Sequence, residues 1–152
     1  MKISLDAIKK LRELTGAGVM DAQKALSDAA GELDRAVRLV RERGLTKAEK
    51  KTSRQTKEGY VAAYTHATGK VAALVEILCE TDFVARNDQF RNLARDLAMQ
   101  VAAMNPRTVD ELLSQEFIKD SNLTIDQLVK SLSGQVGEKL VINRLSRLSV
   151  GE

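Results

Sequence analysis

The sequence predicts an α+β fold: an N-terminal module of three helices, then a small antiparallel three-stranded sheet packed with helices. Three observations carry this expectation. The first 44 residues hold three short segments of helical apolar spacing, each closed by glycine. Residues 59–80 switch to a two-residue period around a turn, and Phe90 to Met104 carries one unbroken apolar stripe of helical spacing. The chain therefore divides into a helical module (1–44), a basic linker (45–58) and an α+β core domain (59–152).

In the first helix, Ser4 is placed as N-cap, with Ile3 and Ile8 on either side as a hydrophobic staple. Leu5, Ile8 and Leu11 recur at helical spacing, and Gly16 falls where a left-handed C-cap residue is expected. Gly18 restarts the chain, and Met20, Ala22, Ala25, Leu26 and Ala29 trace a second helix ending near Gly31. Leu33, Ala36, Val37 and Val40 trace a third, expected to stop at Gly44. Arg41, Arg43, Lys47, Lys50, Lys51, Arg54 and Lys57 cluster in and just before the linker, with few apolar residues between them. Such a run reads as a solvated segment, with RNA or an acidic partner as the competing reading. No aromatic interleaves the charges, so bases have nothing to stack on.

The core domain opens with a hairpin: a strand over Tyr60–Thr65, a turn at His66–Gly69, and a strand over Lys70–Glu80. Val71, Ala73, Val75, Ile77 and Cys79 share one face of the second strand, all apolar, while the other face is mixed. Phe90, Leu93, Ala94, Leu97, Ala98, Val101 and Met104 form the stripe of a helix able to cover that sheet. Pro106 bars its continuation. Thr108 with Glu111, and Thr124 with Gln127, have the spacing of capping boxes that open two further helices. Lys139–Ser149 supplies a third strand, although Arg144 and Ser146 break its alternation by sharing a face with Leu140 and Ile142.

Composition narrows the function. Hydrophobic residues at 43% and charged residues at 30% mark a folded globular chain. Aromatics reach only 3%, so the core is built of Leu, Val, Ile and Ala, and any exposed ring asks for an explanation. The net charge of +3, from 24 Lys+Arg against 21 Asp+Glu, is small for a dedicated nucleic-acid binder. The single Cys79 cannot form an intrachain disulfide, which fits a reducing compartment. No apolar run has the length of a membrane span, and Met1-Lys2-Ile3-Ser4 does not open a signal peptide. A cytoplasmic location without membrane contact is expected.

Enzymatic signatures are sparse. One His and one Cys do not make a zinc pattern, and neither metal nor cofactor site nor catalytic residue is expected. His66 reads as a turn residue and Cys79 as a buried, inert thiol; a hydrolase using that pair would lack a third group to orient the ring. Gly16-Ala17-Gly18 follows a helix and is not trailed by Lys-Ser or Lys-Thr, which argues against a phosphate loop. A helix-turn-helix reading of the first helices meets too few cations for DNA phosphates. The segment Thr81-Asp82-Phe83-Val84 is less easily dismissed, because it sets one of the three Phe directly after a carboxylate at the strand-to-helix junction. Either Phe83 anchors that junction to its own core, or the ring and Asp82 are presented to a partner. Composition and spacing leave both open.

Two long stretches resemble a known family. Leu11-Arg12-Glu13-Leu14-Thr15-Gly16-Ala17-Gly18-Val19-Met20-Asp21 resembles the signature that opens elongation factor Ts, and Cys79 to Asn87 resembles its second signature. Gly137 to Arg144, closing at Gly151-Glu152, is similar to the family's terminal strand. The resemblance implies a ubiquitin-associated-like (UBA-like) three-helix module that docks on the nucleotide domain of elongation factor Tu through Arg12, Val19 and Met20. It further implies that Asp82 and Phe83, framed by Thr81 and Val84, push in near that partner's magnesium site and promote guanine-nucleotide exchange. No bond would be made or broken by this chain. Longer members carry a second copy of the core half and a coiled-coil insertion, for which Asn105–Lys139 is too short. A homodimer that binds two elongation factor Tu molecules, a heterotetramer, is therefore implied. The rival is an RNA- or ribosome-associated protein using Arg41–Lys57.

Overall fold

The computed structural model describes residues 3–49 and 51–152. Lys50 of the basic cluster, and Met1 and Lys2 of the N-terminal reading, lie outside the described residues. Helices α1 (Leu5–Thr15), α2 (Val19–Asp28) and α3 (Leu33–Glu49) come first, followed by the hairpin β1 (Glu58–Thr65) and β2 (Val71–Cys79). A single turn, α4 (Asp82–Ala85), leads into α5 (Asp88–Met104) and α6 (Val109–Ser114). Two short strands, β3 (Glu116–Phe117) and β4 (Asp120–Thr124), precede α7 (Ile125–Val136) and β5 (Val141–Ser149).

The three-helix module forms for the local reasons its sequence supplies. Ser4 Oγ accepts the Ala7 N–H at 3.2 Å, and Gly16 (φ 70°) closes α1 by donating its N–H to the Arg12 carbonyl at 2.7 Å. Leu11, Ala22, Ala25, Leu26 and Ala36 are fully buried at its centre. The many alanines let the helices approach closely around two leucines.

α3 departs from expectation. It does not stop at Gly44 but runs to Glu49, into the segment expected to be a linker. Gly44 is used for proximity instead of termination. A methyl group added to Gly134 of α7 would lie 2.4 Å from the Gly44 Cα, so the two helices cross backbone to backbone.

The main sheet has the order β1-β2-β5, antiparallel throughout. Ala73, Val75, Ile77 and Cys79 of β2 face inward and are buried, as the two-residue period predicts. α5 lies across them with Phe90, Leu93, Ala94, Leu97, Ala98 and Val101 buried, while Met104 at its C-terminal end is exposed. The faulty alternation of the third strand has a specific cause. Ile142 pairs with Ile77 and Arg144 with Glu76, so Asn143 is bulged out and the phase flips there. Ile142 and Leu145 can then both serve the core side while Arg144 faces out.

The ribbon β3–β4 was not expected from sequence. It hangs on Gln100, a fully buried amide on α5. Gln100 Nε2 donates to the Glu116 carbonyl at 3.0 Å and its Oε1 accepts the Ile118 N–H at 3.0 Å. Of the two anticipated capping boxes, Thr124–Gln127 is reciprocal. Thr108 caps the Glu111 N–H alone, because the Glu111 carboxylate accepts from the Arg107 N–H.

Candidate functional site

Beyond Cys79 the chain leaves the sheet through Glu80 and Thr81 and makes the one-turn helix α4 before α5 begins. Thr81 is extended (φ −126°, ψ 158°), and its Oγ1 accepts the Val84 N–H at 3.5 Å. Val84 and Ala85 are buried in the main core, so the same turn throws Asp82 and Phe83 outward. Phe83 is 79% exposed. The chain's other rings behave differently: Phe90 and Phe117 are buried, and Tyr60 and Tyr64 pack partly against the core. Of the two readings left open by sequence, the ring sealed in its own core is therefore excluded. Val84 plays the anchoring part instead.

Asp82 pairs with Arg86 one turn on, both side chains exposed. An exposed pair of this kind contributes about 0–1 kcal/mol, so the carboxylate can exchange partners at little cost. Behind the motif lies a residue that sequence reasoning passed over. Glu138 Oε1 accepts the N–H groups of Glu80 (3.0 Å) and Thr81 (2.9 Å), and its Oε2 accepts the Thr81 hydroxyl at 2.5 Å. In return Glu80 Oε1 accepts the Lys139 N–H at 2.7 Å. That backbone bond, followed by Arg54, holds the Glu80 carboxyl below its ordinary pKa. Only proximity across the sheet links these groups, and no local motif announces it.

Cys79 is buried, and its Sγ donates to the Thr81 carbonyl at 3.2 Å. Burial first, then the carboxylates of Glu138 and Glu58, push the thiol up to about 11, which removes it as a nucleophile. His66 sits in the β1–β2 turn, at the other end of β2, with Nδ1 3.2 Å from the Tyr64 hydroxyl. A cysteine–histidine pair is thus impossible here. Among the described residues, no cluster of three or more His, Cys, Asp and Glu could hold a metal ion.

The second set of candidates lies on the helical module. Arg12 is exposed, and its Nε donates to the Ala17 carbonyl at 3.2 Å across the α1–α2 turn. Val19 and Met20, in the first turn of α2, are 49% and 75% exposed. The turn between them and α1 rests on the core domain. A methyl group at Gly16 would lie 2.5 Å from Gln89 Nε2 and 2.7 Å from Gln135 Oε1, and Gln135 donates to the Thr15 carbonyl. Val19 follows shortly after Gly16 and Phe83 lies shortly before Gln89 in the chain, so this approach joins the segments that carry the two sets.

The basic segment acts as a strap: several of its cations reach partners on other elements, while Thr52–Gln55, Lys57 and Glu58 stay exposed. Arg41 pairs with Asp120, Arg43 with Asp28 and Lys47 with Asp21. Lys51 is 6% exposed and donates to the Ser133 carbonyl at 2.9 Å, near the C-terminus of α7. Burial, then the neighbouring Arg54, lowers its pKa. Arg54 reaches the Gly137 carbonyl at 3.1 Å, and Lys139 Nζ reaches back to the Thr52 carbonyl at 2.7 Å. The free carbonyls at a helix C-terminus attract cations, which explains where these charges settle.

A family model described as Elongation factor TS matches residues 80–152, from the residue before Thr81 to the end of the chain given. The Elongation factor Ts of Thermotoga neapolitana is 47% identical over 148 residues, covering 97% of this chain and 75% of the relative. That of Herpetosiphon aurantiacus is 38% identical over 196 positions, covering 99% of each. That of Fervidobacterium nodosum is 35% identical over 197 positions, covering 100% of each. The last two alignments are longer than this chain, so those relatives carry stretches that it lacks.

Proposed function

The chain belongs to the elongation factor Ts family, and from that premise we propose that it binds elongation factor Tu and promotes the release of GDP. The observation that carries this reading is Phe83, an apolar ring 79% exposed on a turn anchored from beneath by Val84. Asp82 and Phe83 form the intruding pair, Thr81 and Val84 hold the turn, and Arg12, Val19 and Met20 dock the helical module on the partner's nucleotide domain.

Binding that favours the nucleotide-free partner must weaken GDP by the same factor, because coupling between two ligands is reciprocal. A thousandfold weakening corresponds to about 4 kcal/mol. Burying an exposed Phe ring contributes roughly 1.5–3 kcal/mol. Disturbance of the oxygen ligands around the partner's magnesium ion supplies the remainder in this reading. Asp82 acts by displacing contacts and transfers no proton.

We further propose a homodimer, giving a heterotetramer with two elongation factor Tu molecules. α5 covers one face of the main sheet, while Val61, Leu74 and Leu148 lie exposed on the other and would be buried by a second copy. The RNA-binding alternative is less favoured, because Arg41, Arg43, Lys47, Lys51 and Arg54 already have protein partners. The cytoplasm, where translation runs, is the location this reading implies. Among the described residues, no helix is long and apolar enough to cross a membrane.

The test is release of a fluorescent GDP analogue from elongation factor Tu. Phe83→Ala should slow release by about tenfold or more, the loss of roughly 1.5–3 kcal/mol of burial, while the free protein keeps its thermal midpoint. An unchanged release rate removes Phe83 from the mechanism.

A further inference from the structure

α4 is four residues long, too short to hold its own shape, since a single helical turn fixes several dihedrals for one hydrogen bond. Its cap is weak as well, with 3.5 Å between Thr81 Oγ1 and the Val84 nitrogen. Val84 and Ala85 anchor it to the core from beneath, but its entry at Glu80 and Thr81 needs a further hold that the regular ladder cannot supply, because the last β2–β5 pair is Leu78 with Val141. Beyond that pair the N–H groups of Glu80 and Thr81 would point into water. Both instead converge on the Glu138 carboxylate, together with the Thr81 hydroxyl.

The hydroxyl is the informative contact. A threonine Oγ has one proton and two lone pairs. With its proton committed to Glu138 Oε2, its lone pairs are left to face the Val84 N–H, so the carboxylate orients the cap. Glu138 is itself immobilised: its carbonyl accepts the Ser133 hydroxyl at 2.6 Å, and the next residue donates its N–H to Glu80. The chain of support runs from the end of α7, through Glu138, to Thr81, and so to the turn that carries Asp82 and Phe83.

We infer that Glu138 is the positioning residue of the exchange motif, holding Thr81 so that Asp82 and Phe83 are aimed at the partner. The inference rests on the exchange reading above. A preorganised ring loses little freedom on binding, whereas a loose turn must be ordered at that moment. The hydrogen bonds of Glu138 go to Glu80, Thr81 and Ser133 and not to Val19 or Met20, so its substitution should leave docking of the helical module alone.

The test measures release of a fluorescent GDP analogue as a function of factor concentration, for Glu138→Ala, Glu138→Gln, Phe83→Ala and the Phe83→Ala/Glu138→Ala double variant. Glu138→Ala should lower the saturating rate about tenfold while the half-saturating concentration shifts less than about twofold, the pattern of an interaction needed after docking. Glu138→Gln, which keeps an acceptor oxygen, should fall between it and the natural protein and serves in its place if the alanine variant does not fold. In the Phe83→Ala background, Glu138→Ala should cost no more than about twofold further, because residues that act as a unit are not additive. A natural saturating rate in both Glu138 variants overturns the inference, as does an equal loss with and without Phe83. If Phe83→Ala itself releases GDP at the natural rate, the exchange reading fails first; slow Phe83→Ala with fast Glu138→Ala sinks the positioning role alone.

Discussion

Gly134→Ala discriminates sharply between two expectations. At an exposed position inside a helix, alanine stabilises relative to glycine by roughly 0.5–1 kcal/mol. At Gly134 the new methyl would lie 2.4 Å from Gly44 Cα, 2.5 Å from its oxygen and 2.8 Å from its carbonyl carbon. Carbon atoms rest about 3.5–4.0 Å apart, so α3 and α7 must separate by on the order of 1 Å. All three obstructing atoms are backbone, and no rotamer change relieves them. Overpacking costs about 1–3 kcal/mol, and an overlap this deep against backbone belongs in the upper half of that range, about 2–3 kcal/mol, which leaves a net loss of about 1–2.5 kcal/mol after the propensity gain. Equilibrium urea unfolding followed by far-ultraviolet circular dichroism measures it directly. Gly44→Ala is the control, since its methyl would meet the Ser131 Cα and oxygen at 3.2 Å, a misfit of only a few tenths of an ångström. That variant should be near neutral. A Gly134→Ala protein as stable as the natural one would refute the backbone-to-backbone crossing.

Three further outcomes are expected. Cys79, buried and with its thiol pushed up to about 11, should resist alkylation in the folded protein at pH 8 and react promptly in denaturant; stoichiometric labelling of the native chain within minutes would contradict its burial. Glu80→Gln should destabilise by on the order of 1 kcal/mol at pH 7. The folded carboxyl is held below its ordinary value, so its contribution is complete above the unfolded pKa of about 4.3 and fades as pH falls through the folded value. Unfolding curves for the two proteins should therefore converge in acid, and a constant gap at every pH would contradict that origin. Leu74→Lys, on the outward face of β2 between Ala63 and Ser146, should halve the mass seen by light scattering at micromolar concentration; a natural protein that is already monomeric there removes the homodimer.

Elements that follow from local chemistry are legible in the sequence: the Ser4 cap, the Gly16 terminus, the alternating β2 and the stripe of α5 all depend on near neighbours. The failures share a different property. Gly44 looks like a stop because glycine usually ends helices, yet its role is set by Gly134 on another helix. Arg144 and Ser146 look misplaced until the bulge at Asn143 is known, and a bulge is decided by the partner strand. The β3–β4 ribbon is too short to show a period and depends on Gln100 from α5. Lys51 and Arg54 look solvated because their carbonyl partners lie 82 and 83 residues away. The candidate site divides the same way. Thr81 to Val84 stand out by composition, whereas Glu138, 57 residues from Thr81, has nothing in its surroundings to mark it.

The strand order has a temporal side. β5 pairs with a strand that precedes it by most of the domain, and Glu138 meets Glu80 across 58 residues. The helical bundle closes only short loops, so on a growing polypeptide it can assemble soon after it emerges, whereas distant strand pairing has to wait. During synthesis, the surface bearing Val19 and Met20 should therefore mature before the turn bearing Phe83 is pinned.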